Sequence, residues 1–145
     1  MWSISKIFRV PIGHRLSKHK GLCQNYHGHN FVIKVCLEAD QLNKNDMIMD
    51  FSDLKKYVGE VLEEFDHALV LNSYDDSMNS IDCKKVFLPE GDPTAERLAE
   101  FLYNELSRTI NSICQVDDSN AINIGIKIKY VKVWENEDSE ATYSK

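Results

Sequence analysis

Cys23-Gln24-Asn25-Tyr26-His27-Gly28-His29 runs without a break into Asn30-Phe31-Val32-Ile33-Lys34-Val35-Cys36-Leu37-Glu38. Phe31, Ile33, Val35 and Leu37 alternate with Lys34, Cys36 and Glu38, the pattern of a strand with one face buried. Carried backward, the same parity takes in His29 and His27. Side chains alternate faces along a strand, so both imidazoles project from one side and can share an ion. Neutral imidazole is the commonest zinc ligand, and a catalytic zinc usually takes three protein ligands and keeps one position open. His14, at the end of an earlier alternating run, is the candidate third ligand. Cys23 lies four residues before His27 and adds a thiol. Three imidazoles with a free thiol nearby read as an active site. On the His-X-His pair alone, two half-exposed polar residues meeting by chance are the competing reading.

Trp2, Ile4, Phe8, Val10 and Ile12 form a second alternating run, broken only by Lys6, and His14 shares its core parity. Ser17 to Asn25 is a polar, glycine-containing loop. Pairing the two strands antiparallel brings His14 toward His27 and His29. Pro11 removes a ladder donor, which predicts an edge position or a bulge there. From Asp50 to Phe65, the residues Phe51, Leu54, Tyr57, Val58, Val61, Leu62 and Phe65 recur at helical spacing, with Asp50 as N-cap. A second helix is predicted to open at Asp92-Pro93 and to run through Leu98, Leu102, Leu106 and Ile110. Between the helices, residues 72 to 89 are turn-rich and then apolar at Val86, Phe87 and Leu88. Ile122, Ile124, Ile126, Ile128 and Tyr130 alternate with Asn123, Gly125, Lys127 and Lys129, predicting a long strand that ends in Val133-Trp134-Glu135. A short strand near Thr142-Tyr143 closes the chain. Strands at both ends with two helices on one side make an α+β sandwich.

The chain has 145 residues and is 43% hydrophobic, enough for one domain (residues 1–145) with its own core. A net charge of −6 argues against a general nucleic-acid binder. No apolar run is long enough to span a bilayer, and the N-terminus lacks a signal-peptide layout, so a cytoplasmic location is expected. Cys23, Cys36, Cys83 and Cys114 contain no Cys-X-X-Cys pair, and in a reducing compartment all four are expected as free thiols. Cys36 and Cys114 are expected as small buried apolar residues. Asp66-His67, directly after the first helix, offers part of a proton relay or a helix-terminal histidine bound to the last carbonyls. Glu135 has the parity opposite to the isoleucine stripe, which by itself points to a solvated carboxylate.

The order of these landmarks resembles the 6-pyruvoyl-tetrahydropterin synthase family. Gly13-His14-Arg15-Leu16 is followed by Cys23 and by His27-Gly28-His29-Asn30. Met47-Ile48-Met49-Asp50-Phe51 with Asp53-Leu54-Lys55 comes next, then Phe65-Asp66-His67 with Leu71-Asn72. Pro93-Thr94-Ala95-Glu96 and Val133-Trp134-Glu135 complete the series, so the likeness spans nearly the whole chain. The four-residue step from Cys23 to His27 is similar to the bacterial branch, 6-carboxytetrahydropterin synthase of the queuosine pathway; the animal-type pyruvoyl enzyme has a longer step.

The resemblance implies a tunnelling fold, an antiparallel sheet with two helices on one face, oligomerising into a barrel as a homohexamer of two trimers with active sites at subunit contacts. It implies zinc held by His14, His27 and His29, and Cys23 as general base. It implies Asp66 and His67 as the dyad assisting proton transfer, Glu135 anchoring the pterin and in some accounts sharing the relay, and Thr94 near the pterin. The implied reaction converts 7,8-dihydroneopterin triphosphate to 6-carboxy-5,6,7,8-tetrahydropterin with loss of acetaldehyde and triphosphate. Arg15, Lys18, His19 and Lys20 offer charge for the triphosphate, or are solvated loop residues. Pro11 and Gly13 stand where the family more often has small residues such as alanine, and residues 73 to 88 are longer than compact bacterial members need. A sister lyase making 6-pyruvoyltetrahydropterin or cleaving the dihydroneopterin side chain, and a non-catalytic zinc- or pterin-binding module, are the alternatives.

Overall fold

The structure is a computed structural model that describes residues 1–116 and 124–145. Its elements are β1 (Trp2–His14), a 3-10 turn (Leu22–Gln24), β2 (His27–Ala39), α1 (Phe51–Leu62), β3 (Leu69–Asn72), β4 (Lys85–Leu88), α2 (Ala95–Val116), β5 (Lys127–Asn136) and β6 (Ser139–Tyr143). They form one six-stranded sheet in the order β4-β3-β1-β2-β5-β6. β1 and β2 pair antiparallel, as expected from their two alternating runs, and the β2–β5 and β5–β6 pairs are antiparallel too. The short β3 and β4 extend the sheet with parallel pairs. Leu54, Val58 and Leu62 of α1 and Leu98, Leu102, Leu106 and Ile110 of α2 form one apolar core with Phe31, Ile33, Val35 and Leu37 of β2. Burying each of these side chains contributes about 1.5–3 kcal/mol. Both helices therefore lie on the core face, the face that also carries His14 and His29. No helix among the described residues is long and apolar enough to cross a membrane.

Local chemistry accounts for the element ends. Asp50 caps α1, its carboxylate accepting from the Ser52 N–H at 2.7 Å. The helix stops at Leu62, and Phe65 is buried in the turn that follows. Phe51 leaves the predicted stripe and is exposed, because a side chain at the first helical position tilts past the helix N-terminus. The second helix begins two residues later than Asp92-Pro93 predicts. Its cap is Thr94, whose Oγ1 accepts from the Arg97 N–H at 3.2 Å. The Asp92 carboxylate is occupied elsewhere, accepting from Ser17 Oγ at 2.6 Å, the Lys18 N–H at 2.8 Å and Asn72 Nδ2 at 3.2 Å.

Pro11 sits where its missing donor costs nothing. Its carbonyl accepts from the His67 N–H at 2.9 Å, so its polar groups face away from β2, on an edge that β3 covers only from Gly13 onward. The last long strand departs most from expectation. It starts at Lys127, partway along the isoleucine run, and Ile122 and Asn123 lie outside the described residues. Cys36 opposes Tyr130 while Leu37 opposes Ile128, leaving Lys129 as an extra residue. Such a bulge reverses the facing of everything beyond it. Ile124 and Ile128 are buried before it, Val131 and Val133 after it. Glu135 thereby falls on the core face, and the parity argument for a solvated carboxylate is overturned. Among the thiols, Cys36 is buried as expected, Cys83 is exposed and Cys114 is half-buried.

Candidate metal centre and active site

The β1–β2 register sets His14 directly opposite His27 and Ile12 opposite His29. Ring centroids lie 4.5 Å apart for His14–His27, 5.2 Å for His14–His29 and 5.1 Å for His27–His29. One ring nitrogen from each histidine lies within 4.8 Å of the other two. Gly28 permits this tight pairing: a Cβ there would sit 3.0 Å from the Ile12 carbonyl oxygen, and the opposing residue is Gly13. The His-Gly-His sequence thus carries a steric requirement as well as two ligands.

Two backbone carbonyls fix which nitrogens are free. His14 Nδ1 lies 2.9 Å from the Pro93 carbonyl and His27 Nδ1 lies 2.7 Å from the Asn25 carbonyl. A carbonyl oxygen only accepts, so Nδ1 carries the proton in both rings and Nε2 presents its lone pair. This is how metal-binding histidines are usually oriented. Nε2 of His14 and Nε2 of His29 are buried with no hydrogen-bond partner, an arrangement costly for a polar atom unless an ion takes it up. Glu135 Oε1 stands 3.4 Å from His29 Nε2 without the alignment of a hydrogen bond. The donor set suits zinc or another imidazole-binding divalent metal.

His14 is fully buried, and its pKa is held below 6.5 by that burial, with the Pro93 hydrogen bond opposing and the neighbouring His27 assisting. The unfolded chain takes up this proton near pH 6.5, whereas the folded metal-free protein resists it to lower pH. Stability from this group is therefore complete above 6.5 and is lost as pH falls. Urea unfolding of the metal-free protein is expected to show stability declining as pH falls below about 6.5, with a shallower slope in His14→Gln. An equal slope in the variant would contradict the assignment.

The remaining candidates are distributed around this centre. Cys23 is half-buried in the 3-10 turn and stands outside the group of nitrogens that could hold a metal. Its carbonyl accepts from the Leu16 N–H at 2.8 Å, tying the loop after His14 to the one before His27. Thr94 follows the Pro93 that orients His14, with its hydroxyl engaged as the α2 cap. Asp66 and His67 form a dyad, Nδ1 to Oδ1 at 2.7 Å, but the His67 side chain is 80% exposed and outside the three-histidine group. A single chain does not bring the dyad into the centre. Arg15 is committed to Asp75 at 2.7 Å and lies over the Tyr26 ring at 5.3 Å, while Lys18 and Lys20 are exposed. Asp92 was legible in sequence only as a helix cap. Its role in tying Ser17 and Lys18 beside Pro93 has no local signature.

A model of the family described as 6-pyruvoyl tetrahydropterin synthase matches residues 3–145. The 6-carboxy-5,6,7,8-tetrahydropterin synthase of Aquifex aeolicus is 30% identical across 98% of this chain and 97% of its own length. The enzyme of the same name from Haemophilus influenzae is 31% identical across 99% of both chains. The solved structure of Plasmodium vivax 6-pyruvoyltetrahydropterin synthase superposes with a TM-score of 0.72 at 18% identity, covering 100% of this chain and 99% of that one. That last likeness is one of fold: the curled sheet with two helices is the tunnelling fold. With a three-histidine group at the place its motifs predict, this chain belongs to the 6-pyruvoyl tetrahydropterin synthase family.

Proposed function

We propose that residues 1–145 form one catalytic domain, a zinc-dependent lyase of the cytoplasm acting in 7-deazaguanine (queuosine) synthesis. With one water consumed, it converts 7,8-dihydroneopterin triphosphate into 6-carboxy-5,6,7,8-tetrahydropterin, acetaldehyde and triphosphate. The observation that carries the reading is the pair of buried, unpartnered Nε2 atoms of His14 and His29, with Glu135 beside them. The names borne by the Aquifex and Haemophilus relatives support the choice of product.

His14, His27 and His29 would hold the zinc. Once bound, zinc supplies Lewis-acid chemistry, lowering the pKa of side-chain hydroxyls and polarising a developing carbonyl. The chain's own residues do the rest. Glu135, placed on the core face by the Lys129 bulge, accepts from the pterin 2-amino and ring N–H groups through charge-assisted hydrogen bonds. Cys23 takes the proton from the substrate side chain, and for that it stays off the metal. His67, oriented by Asp66, serves as the opposing acid or base. Thr94 lies beside the pterin pocket. Since His67 faces outward in one chain, the dyad is read as acting on the site of a neighbouring copy, in an assembly of two trimers.

The sister reading, a lyase that leaves a 6-pyruvoyl group, uses the same residues. Incubating the zinc-loaded protein with 7,8-dihydroneopterin triphosphate and identifying products by mass spectrometry separates the two. The 6-carboxy compound with acetaldehyde is expected. A 6-pyruvoyl product would move the protein to the sister branch.

A further inference from the structure

The stretch between β3 and β4 returns to the sheet at Lys84-Lys85, and Lys84 does more there than continue the chain. Its Nζ donates to the Glu63 carbonyl at 2.6 Å and to the Asp66 carbonyl at 2.9 Å. The last carbonyls of a helix have no partner within the helix and attract cations. Glu63 is the C-cap of α1, so one of these bonds closes the helix. The other acts on the dyad.

The Asp66 carbonyl and the His67 N–H are the two polar ends of a single planar peptide. The His67 N–H donates to the Pro11 carbonyl at 2.9 Å. That peptide plane is thus anchored at one end by Lys84 and at the other by β1, three residues from His14. The anchoring matters because His67 has φ +56°, in the left-handed region that side chains other than glycine seldom occupy. Lys84 is itself held in place, its carbonyl accepting from the Leu69 N–H at 2.9 Å.

We propose that Lys84 is a positioning residue for the Asp66–His67 dyad, fixing the peptide plane from which the His67 imidazole projects. This rests on reading the dyad as the proton-transfer group of the lyase. Both of its bonds come from a charged donor. Lys84 is exposed, so its replacement should leave the core intact.

The test compares wild-type protein, Lys84→Met and Lys84→Arg, each zinc-loaded, in turnover of 7,8-dihydroneopterin triphosphate. Hydrogen exchange of the turn at residues 63 to 69 is followed in parallel. Lys84→Met is expected to lower kcat about tenfold with KM within about twofold, as misplacement of an acid–base group does. Lys84→Arg should recover most of the loss, and the turn should exchange faster in Lys84→Met. In a His67→Ala background, Lys84→Met should produce no further loss. Wild-type kcat in Lys84→Met, or an equal loss in the His67→Ala background, would overturn the proposal. If the wild-type protein shows no turnover, the lyase reading fails instead. The exchange measurement then decides alone, and an unchanged turn in Lys84→Met overturns the anchoring.

Discussion

Cys23→Ala is expected to cut kcat by about 10²- to 10⁴-fold, the range spanned by loss of a positioned general base, while one zinc ion per chain is retained. The thiol lies outside the group of nitrogens that offer themselves to the metal, so removing it leaves the ligand set whole. Its backbone tie is made by the carbonyl to the Leu16 N–H, and alanine keeps that bond. The change therefore isolates chemistry from architecture. Metal analysis beside steady-state kinetics reads both. Loss of zinc in Cys23→Ala would make the thiol a ligand, and full turnover would remove it from the mechanism. A non-catalytic pterin-binding module would show equal ligand affinity with and without the thiol and no turnover in either.

The second large effect is expected from His29→Ala. Its Nε2 is one of two buried side-chain nitrogens without a partner among the described residues, and it stands 3.4 Å from Glu135 Oε1. With it removed, two ligands remain, and a three-ligand site drops below what holds zinc against water. Turnover should fall below detection and metal should be absent after dialysis. Thermal stability in the presence of zinc should drop to that of the metal-free protein. Zinc at about a thousand times its dissociation constant stabilises the folded state by about 4 kcal/mol, and this linkage term is what disappears. Glu135 would then face a cavity in place of an imidazole, which adds a smaller packing loss. Retention of stoichiometric zinc in His29→Ala would assign the third ligand elsewhere.

How much of this was legible in the sequence depends on how local each determinant is. The parity of His27 and His29 with Phe31 and Ile33 is a property of one strand, and the structure keeps it. The antiparallel partner was equally legible, since the two alternating runs flank a single loop, and the register brings His14 against His27. Asp50 was readable as a cap because its carboxylate bonds two residues away. Asp92 reads as a cap although Thr94 is the cap, because its partners, Ser17 and Asn72, are remote in sequence and nothing local shows that the carboxylate is already taken. Counting parity through Lys129 puts Glu135 on the solvent face, and a bulge leaves no strong mark in the residues that form it. The resemblance to the family pointed to Glu135, whereas periodicity pointed away. The Asp66–His67 pair was legible as a pair, because the residues are adjacent. Its exposure was not, since it depends on how the turn after α1 meets β1 and on a left-handed His67 that no propensity predicts.

The claim that His14, His27 and His29 form one metal site on which catalysis depends is tested most directly by returning zinc to the metal-free protein while turnover of 7,8-dihydroneopterin triphosphate is followed. No activity is expected without metal, and recovery should be linear with a break at one equivalent of zinc per chain. Turnover that survives metal removal, or that needs no zinc to reach its full rate, would contradict it.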